Sequence, residues 1–318
     1  MIIKKADDKT KRLALLADLK KSALLDARQK EWLDEELTRV RRGIEGERDA
    51  SFYIDSYLKD SQNNAVIHDL RLEVDGDVAQ IDHLFFNRLL HFVLIETKCF
   101  GGNLAINDHG EFSVTYANGR TYGIPSPIEQ SKRHERILSK LVDTLGITGR
   151  LGIKPTFHHL VLLHPKAIIR RPDKKAFDTS NVIKADALPA WHAKWADAAF
   201  GVSDTITGLL SIRSSDTIKD WAEQLVRKHR PTNPLSLPEF MAPKPTVVVA
   251  QEPPPSLAAA SATPTSQAQK QAADEGLKKR LICVTCRSKI PYNVGLFCWN
   301  NERRFGGFQY CREHQQGL

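Results

Sequence analysis

The stretch QIDHLFFNRLLHFVLIETKCFGGNL, residues 80–104, constrains the fold more than any other part of the chain. Residues 89–95, Leu-Leu-His-Phe-Val-Leu-Ile, form the apolar, partly β-branched run expected of a strand covered on both faces. Glu96 and Lys98 follow it directly, and Asp82 interrupts a similar run just before. Burying a carboxylate is costly unless something compensates it, so charges at the ends of core strands need partners.

Strand side chains alternate faces, so Glu96 and Lys98 project to the same side of one strand end. A hairpin through Asn87-Arg88 brings Asp82, on the preceding antiparallel strand, alongside them. Two carboxylates can hold Mg²⁺ or Mn²⁺, which polarises a phosphodiester and activates water. The lysine can orient or deprotonate the nucleophile, or stabilise developing negative charge. The same residues also read as a buried Glu–Lys ion pair with Asp82 capping a turn. Spacing alone does not separate the two readings.

The remainder of the chain sets this stretch in an α/β context. Residues 5–40 are rich in Leu, Ala, Lys and Glu at helical spacing and contain neither Gly nor Pro. Gly43 and Gly46 are expected to break this helix from a second one carrying Ala50, Ile54, Tyr57 and Leu58. These N-terminal helices form a packing arm or a docking surface for a protein partner. Strands are expected at 65–74, 78–87, 89–97, 111–116, 158–165 and 181–188, and helices at 126–146, 188–201 and 214–231. Ser126 and Pro127 are the start signals of the first of these three helices, and Gly146 is its stop.

From 231 to about 275 the sequence turns to Pro, Ala, Ser, Thr and Gln with little charge, the composition of a flexible linker. Beyond it, from Gly276 onward, eight Lys/Arg stand against two Glu, a balance of +6 in a chain whose net charge is +8. The expected domains are therefore a helical arm at 1–42, an α/β domain at 43–230, a linker at 231–277 and a basic module at 278–318. With 41% hydrophobic residues the chain can build a core, and it has no apolar run long enough to span a membrane. The N-terminus mixes both charge signs and lacks a signal peptide's apolar stretch, so a cytoplasmic location is expected.

Four of the five cysteines lie in the basic tail. Cys283-x-x-Cys286 and Cys311-x-x-His314 are two paired-ligand knuckles, and a two-residue gap lets a tight turn present both side chains to one ion. The tail has too little apolar surface to fold unaided, so structural Zn²⁺ is expected to supply its folding free energy. Cys298 is a fifth candidate, read in the first instance as a buried thiol. Tyr292, Phe297, Trp299, Phe305, Phe308 and Tyr310 interleave with Arg287, Lys289, Arg303, Arg304 and Arg312, a pattern that suits phosphate contact and base stacking. The same aromatics could instead form the module's core.

Gly46-Glu47, QIDHLFF, FVLIETKCFGGNL and SPIEQSKRHERIL, in this order, resemble the nuclease-related domain (NERD) family, over roughly residues 43–145. The resemblance implies a PD-(D/E)xK, restriction-endonuclease-like fold, with a mixed central sheet flanked by helices. It implies Asp82 and Glu96 as metal ligands and Lys98 as the catalytic lysine. Glu47 matches a family acidic residue that completes the metal site, and Gln130 a glutamine that contacts substrate or the lysine. The tail resembles small zinc-ribbon modules, including topoisomerase-type fingers, and departs from their four-cysteine pattern by ending in His314.

These readings lead to an expected Mg²⁺- or Mn²⁺-dependent nuclease acting on DNA, or alternatively RNA, with a zinc module that binds nucleic acid. The rivals are a non-catalytic nucleic-acid-binding protein and a protein-interaction scaffold. His83 is expected to pack on the opposite strand face, and His134, one turn beyond Gln130, to contact phosphate. Cys99, His158, His159 and His164 are read as structural.

Overall fold

In the computed structural model the two apolar runs become adjacent antiparallel strands at the centre of a mixed sheet. The structure describes residues 1–199, 212–242, 282–286, 288–291, 294, 297–298, 301, 305 and 308–315. The chain divides into two compact units, Met1–Pro245 and Thr246–Leu318.

In chain order the first unit contains β1 (Ile2–Lys4), α1 (Thr10–Lys20), α2 (Ala27–Leu58), β2 (Asn64–Val74), β3 (Asp77–Asn87), β4 (His91–Lys98), β5 (Gly102–Ile106), β6 (Phe112–Tyr116) and β7 (Thr121–Ile124). There follow α3 (Pro127–Thr144), β8 (Thr156–Leu163), β9 (Ile169–Arg170), β10 (Val182–Lys184), α4 (Leu188–Ala199) and α5 (Ser215–Arg227). Six strands make the main sheet in the order β1-β2-β3-β4-β8-β10, and β7-β6-β5-β9 make a second. In the main sheet β2, β3 and β4 run antiparallel, while β4, β8 and β10 are parallel. The architecture is mixed α/β, with two sheets where the sequence suggests one.

Period-two alternation along β3 and β4 fixes which helix covers which face. Leu84, Phe86, Phe92 and Leu94 pack with Leu138 and Leu141 of α3 and Ile218 and Leu225 of α5. Phe85, Val93 and Ile95 pack with Ala50, Ile54 and Leu58 of α2 and with Trp191 of α4. Covered on both faces, these strands can be apolar throughout. The turn between them is built by Asn87, whose Oδ1 accepts the N–H groups of Leu89 and His91, while Leu90 takes a left-handed φ of 63°. That φ is why β4 begins at His91 and not at Leu89.

Gly43 and Gly46 do not break the first helix. α2 runs unbroken for 32 residues from a capping box in which Asp26 and Gln29 bond each other's backbone N–H. An internal glycine costs a helix only about 1 kcal/mol, and packing overrides that. Gly46 is buried where α2 crosses the end of β4, and a Cβ built there would stand 2.8 Å from the Cβ of Cys99. The glycine permits the close crossing. Cys99 is thus part of the packing of this corner, as the sequence suggests.

The N-terminal segment is also more than an arm. β1 pairs with β2 as an edge strand of the main sheet, and α1 packs on α2 through Leu16, Leu33 and Leu37. Glu36, buried between them, is bonded by Arg12 and Arg39. Residues 231–242, which composition assigns to the linker, close over these helices. Met241 and Leu237 join their apolar cluster, Phe240 meets Trp32 edge-on at 5.5 Å, and Gln29 Nε2 donates to the Phe240 carbonyl. The rest of the expected linker, 243–277, lies outside the described residues. Strands β1, β5, β7 and β9, of two to five residues each, lie outside the strands that the sequence suggests. Among the described residues no helix is long and apolar enough to cross a membrane.

Two outcomes are expected from this packing. Gly46→Ala should lower the melting temperature although alanine favours helix, because overpacking costs about 1–3 kcal/mol. Adding Cys99→Gly should restore it; a melting temperature unchanged by Gly46→Ala would refute the tight crossing. The second outcome concerns acid. His158, stacked on His91, has its pKa lowered to about 4 by burial, with the charges of His91 and His159 adding to the effect. The unfolded chain takes up this proton near the ordinary value of 6.5 and therefore binds more protons between those limits. Stability should fall as pH drops through that window, and His158→Phe should flatten the melting-temperature profile there.

Candidate functional site

Pairing between β3 and β4 ends at His83 and Ile95, and beyond them the strands part. Asp82 and Glu96 are the next residues on either side of the opening. At this point the Thr97 N–H donates to Asp82 Oδ2 at 2.8 Å, so the carboxylate serves the first backbone donor beyond the ladder. Glu96 is buried, with only 3% of its surface exposed. Lys98 lies two residues on along the same strand face, and its Nζ donates to Glu96 Oε1 at 2.6 Å and to Gln130 Oε1 at 3.1 Å.

Gln130 reaches this point from the first turn of α3, which Ser126 caps by accepting the Glu129 N–H. Glu47 comes from α2, one residue beyond the Gly46 crossing. All five expected site residues (Glu47, Asp82, Glu96, Lys98 and Gln130) line one cavity of about 770 Å³. Arg39 and Arg42 stand at its rim on α2.

The electrostatics of the cavity are those of crowded acids. Burial pushes Asp82 well above the usual carboxylate range, and the neighbouring Glu96 and Glu47 charges push it further. Glu96 is raised by burial against the opposing pull of Lys98, and Glu47 by burial against that of Lys9. These three carboxylates, each raised by burial, make a hard oxygen donor set suited to Mg²⁺ or Mn²⁺, whose charge would favour their ionised forms. The oxygens are not gathered on one point. Among the described residues, only the cysteine–histidine group of the tail brings three or more candidate ligands within 4.8 Å of one another. In the cavity each carboxylate has its own partner: Thr97 N–H for Asp82, Lys98 for Glu96 and Lys9 for Glu47.

Lys9 and Asp69 are residues that sequence reasoning missed. Lys9 Nζ lies 2.5 Å from Glu47 Oε2 and 3.4 Å from Asp69 Oδ2. Its pKa is raised; burial works against this, but the bond to Glu47 and the Glu47 and Asp69 charges prevail. Asp69 sits in β2 between His68 and Leu70, which pair with His83 and Ile81, so in register it faces Asp82. Its φ of 54° takes it out of the ladder, and its carboxylate accepts the Asp7 N–H and a hydrogen bond from Gln80 Nε2. A non-glycine residue at positive φ inside a strand has no sequence signature, and Lys9 is one of many lysines in a charged N-terminus.

His83 is buried on the α2 face, with its Nδ1 2.7 Å from His68 Nδ1, and His68 Nε2 meets Asp55. His134 Nδ1 stands 3.8 Å from Glu96 Oε2, and burial together with Arg133 and Lys98 lowers its pKa to about 4. At neutral pH it is therefore an uncharged neighbour of the acids. His159 bonds Ser131 and Glu135, tying β8 to α3.

In the second unit, Ile282 and Lys289 form an antiparallel bridge, and the Cys283 N–H donates to the Ser288 carbonyl, making the tight turn that presents Cys283 and Cys286. Cys283 Sγ lies 3.7 Å from His314 Nδ1, Cys286 Sγ 3.8 Å from Cys311 Sγ, and Cys311 Sγ 3.1 Å from His314 Nδ1. Ligands about 2.0–2.3 Å from a tetrahedral zinc stand roughly 3.3–3.8 Å from one another, so the cluster is compatible with zinc. Burial pushes the Cys283 thiol up, but the N–H groups of Cys286, Cys311 and Thr285 draw it down to about 6. Cys298 stands apart from the cluster, buried, accepting the Tyr310 N–H at 3.3 Å and Gln315 Nε2 at 3.2 Å. Of the tail's aromatics, Phe305 is buried while Phe297 and Phe308 are exposed. Tyr292, Trp299, Arg287, Arg303 and Arg304 lie outside the described residues.

Compared with known families, residues 42–164 match the model of the nuclease-related domain. No curated protein and no solved structure matches the chain. The matched span holds Glu47, Asp82, Glu96, Lys98, Gln130 and Asp69, but not Lys9.

For the tail, elemental analysis of the purified full chain should find about one zinc per chain. Cys286→Ser or Cys311→Ser should reduce that content severalfold. A zinc-free wild-type chain would sink the assignment.

Proposed function

Taking residues 42–164 as a nuclease-related domain, we propose that the chain is a divalent-metal-dependent nuclease that hydrolyses phosphodiester bonds of DNA. The observation that carries this reading is Lys98, held between Glu96 and Gln130 in the cavity that Asp82 and Glu47 also line. An ion pair serving stability alone would not need two further buried carboxylates beside it.

Asp82 and Glu96, with Glu47, would hold Mg²⁺ or Mn²⁺. Bound there, the ion would supply Lewis-acid polarisation of the scissile phosphate and acidify a water. The chain's own residues do the rest. Glu96 and Gln130 occupy two of the three donors of the Lys98 ammonium and fix its position. The third donor is left for the attacking water or for charge developing on the phosphate. Gln130 thus acts as a positioning residue, since its oxygen touches the lysine. Arg39 and Arg42 at the rim would meet backbone phosphates. The tail would raise the local concentration of nucleic acid, with Lys289 and Arg312 for phosphate and the exposed Phe297 and Phe308 for stacking.

The test is cleavage of single- and double-stranded DNA and RNA by the full chain with Mg²⁺ or Mn²⁺. Wild type should cut DNA, with Lys98→Ala and Asp82→Ala each slower by about 10²-fold or more. Cutting undiminished in both variants would overturn the assignment. Binding without cutting would point to a nucleic-acid-binding protein instead.

A further inference from the structure

A second cation, Lys9, stands beside the cavity, lining a neighbouring one that shares Glu47 with it. Lys9 approaches from the segment between β1 and α1, outside the matched span, and places its ammonium against Glu47 and Asp69. It is only 32% exposed, Glu47 21% and Asp69 5%, so this is not a surface pair. The arrangement is costly to build. Asp69 adopts the left-handed φ of 54°, a conformation disfavoured for a non-glycine residue, and in doing so gives up pairing opposite Asp82. The backbone is held there by Lys4, whose Nζ donates to the His68 and Asp69 carbonyls at 3.0 Å each, and by the Asp7 N–H on the carboxylate. The whole N-terminal segment is thus anchored around the point where Lys9 enters.

Charge points the same way. Lys98 is bonded to Glu96, and Lys9 lies against both Glu47 and Asp69. Without Lys9, Glu47 and Asp69 would be left as a second pair of oxygen donors.

We propose that Lys9 is a resident cation of the centre: its tethered ammonium fills the position between Glu47 and Asp69 that a second divalent ion would otherwise take, leaving the site to bind a single ion at Asp82 and Glu96, with Glu47. This rests on the divalent-ion reading above, and the two can fail separately. As a fixed charge, Lys9 would hold Glu47 in place whether or not the divalent ion is bound.

The experiment counts tightly bound Mn²⁺ by electron paramagnetic resonance titration of the zinc-loaded full chain, with circular dichroism confirming the fold of each variant. Wild type should bind about one Mn²⁺ and Lys9→Ala about two, and Lys9→Ala combined with Asp69→Asn should return to about one. Should Lys9→Ala not fold, Lys9→Gln keeps the bulk without the charge and should also admit the extra ion. One ion in both wild type and Lys9→Ala overturns the proposal, as do two in wild type, or an extra ion that survives Asp69→Asn. A wild-type chain that binds none refutes the divalent-ion reading itself and the proposal with it.

Discussion

The bond on which the rest of the centre depends is Thr97 N–H to Asp82 Oδ2. Two core strands cannot simply stop pairing inside a protein, because each buried N–H beyond the last ladder bond needs an acceptor. Here a side-chain carboxylate from the opposite strand takes that place. The strands can then diverge, and their divergence opens the cavity. The same carboxylate is thereby fixed at the mouth of the opening beside Glu96. One interaction both ends the ladder and delivers an acid to the site.

Everything around this fork is arranged to bring charge to a place where the fold would otherwise exclude it. α2 crosses close enough to deliver Glu47 because Gly46 carries no side chain against Cys99. α3 starts at a defined residue because Ser126 caps it, and this sets Gln130 over Lys98. The N-terminal segment reaches in with Lys9 because β1 is zipped to β2 and α1 is packed on α2. Burial in such surroundings raises the acids above their ordinary range, and the lysines oppose that shift without removing it. The fold gathers acidic side chains next to core strands, and the packing of those strands on both faces supplies the rigidity to hold them.

The tail follows a different physical logic. Its bridge at Ile282 and Lys289 and a handful of buried side chains make a small core, and its cysteines and histidine converge as a cluster compatible with zinc. Cys298, although the nearest rival in sequence, is held by the Tyr310 N–H and the Gln315 amide, which marks it as part of that core.

By itself the sequence marked the long core strands and the charged residues at their ends. Covered strands must be apolar, so the charges at 82, 96 and 98 stood out against them, and period-two geometry placed Glu96 and Lys98 on one face. Ser126, Pro127 and Gly146 bounded α3, and Cys-x-x-Cys with Cys-x-x-His located the tail cluster, because capping and ligand spacing are local. Tertiary structure decided what depends on residues distant in the chain. It kept α2 continuous through two glycines, since packing against β4 outweighs a local propensity of about 1 kcal/mol per glycine. It folded residues 231–242 back onto α1 and α2, and it split the strands into two sheets. It also brought Lys9 and a left-handed Asp69 to Glu47. Neither residue belongs to a motif, and their meeting exists only once β1 has paired with β2 and the ladder has opened opposite Asp82.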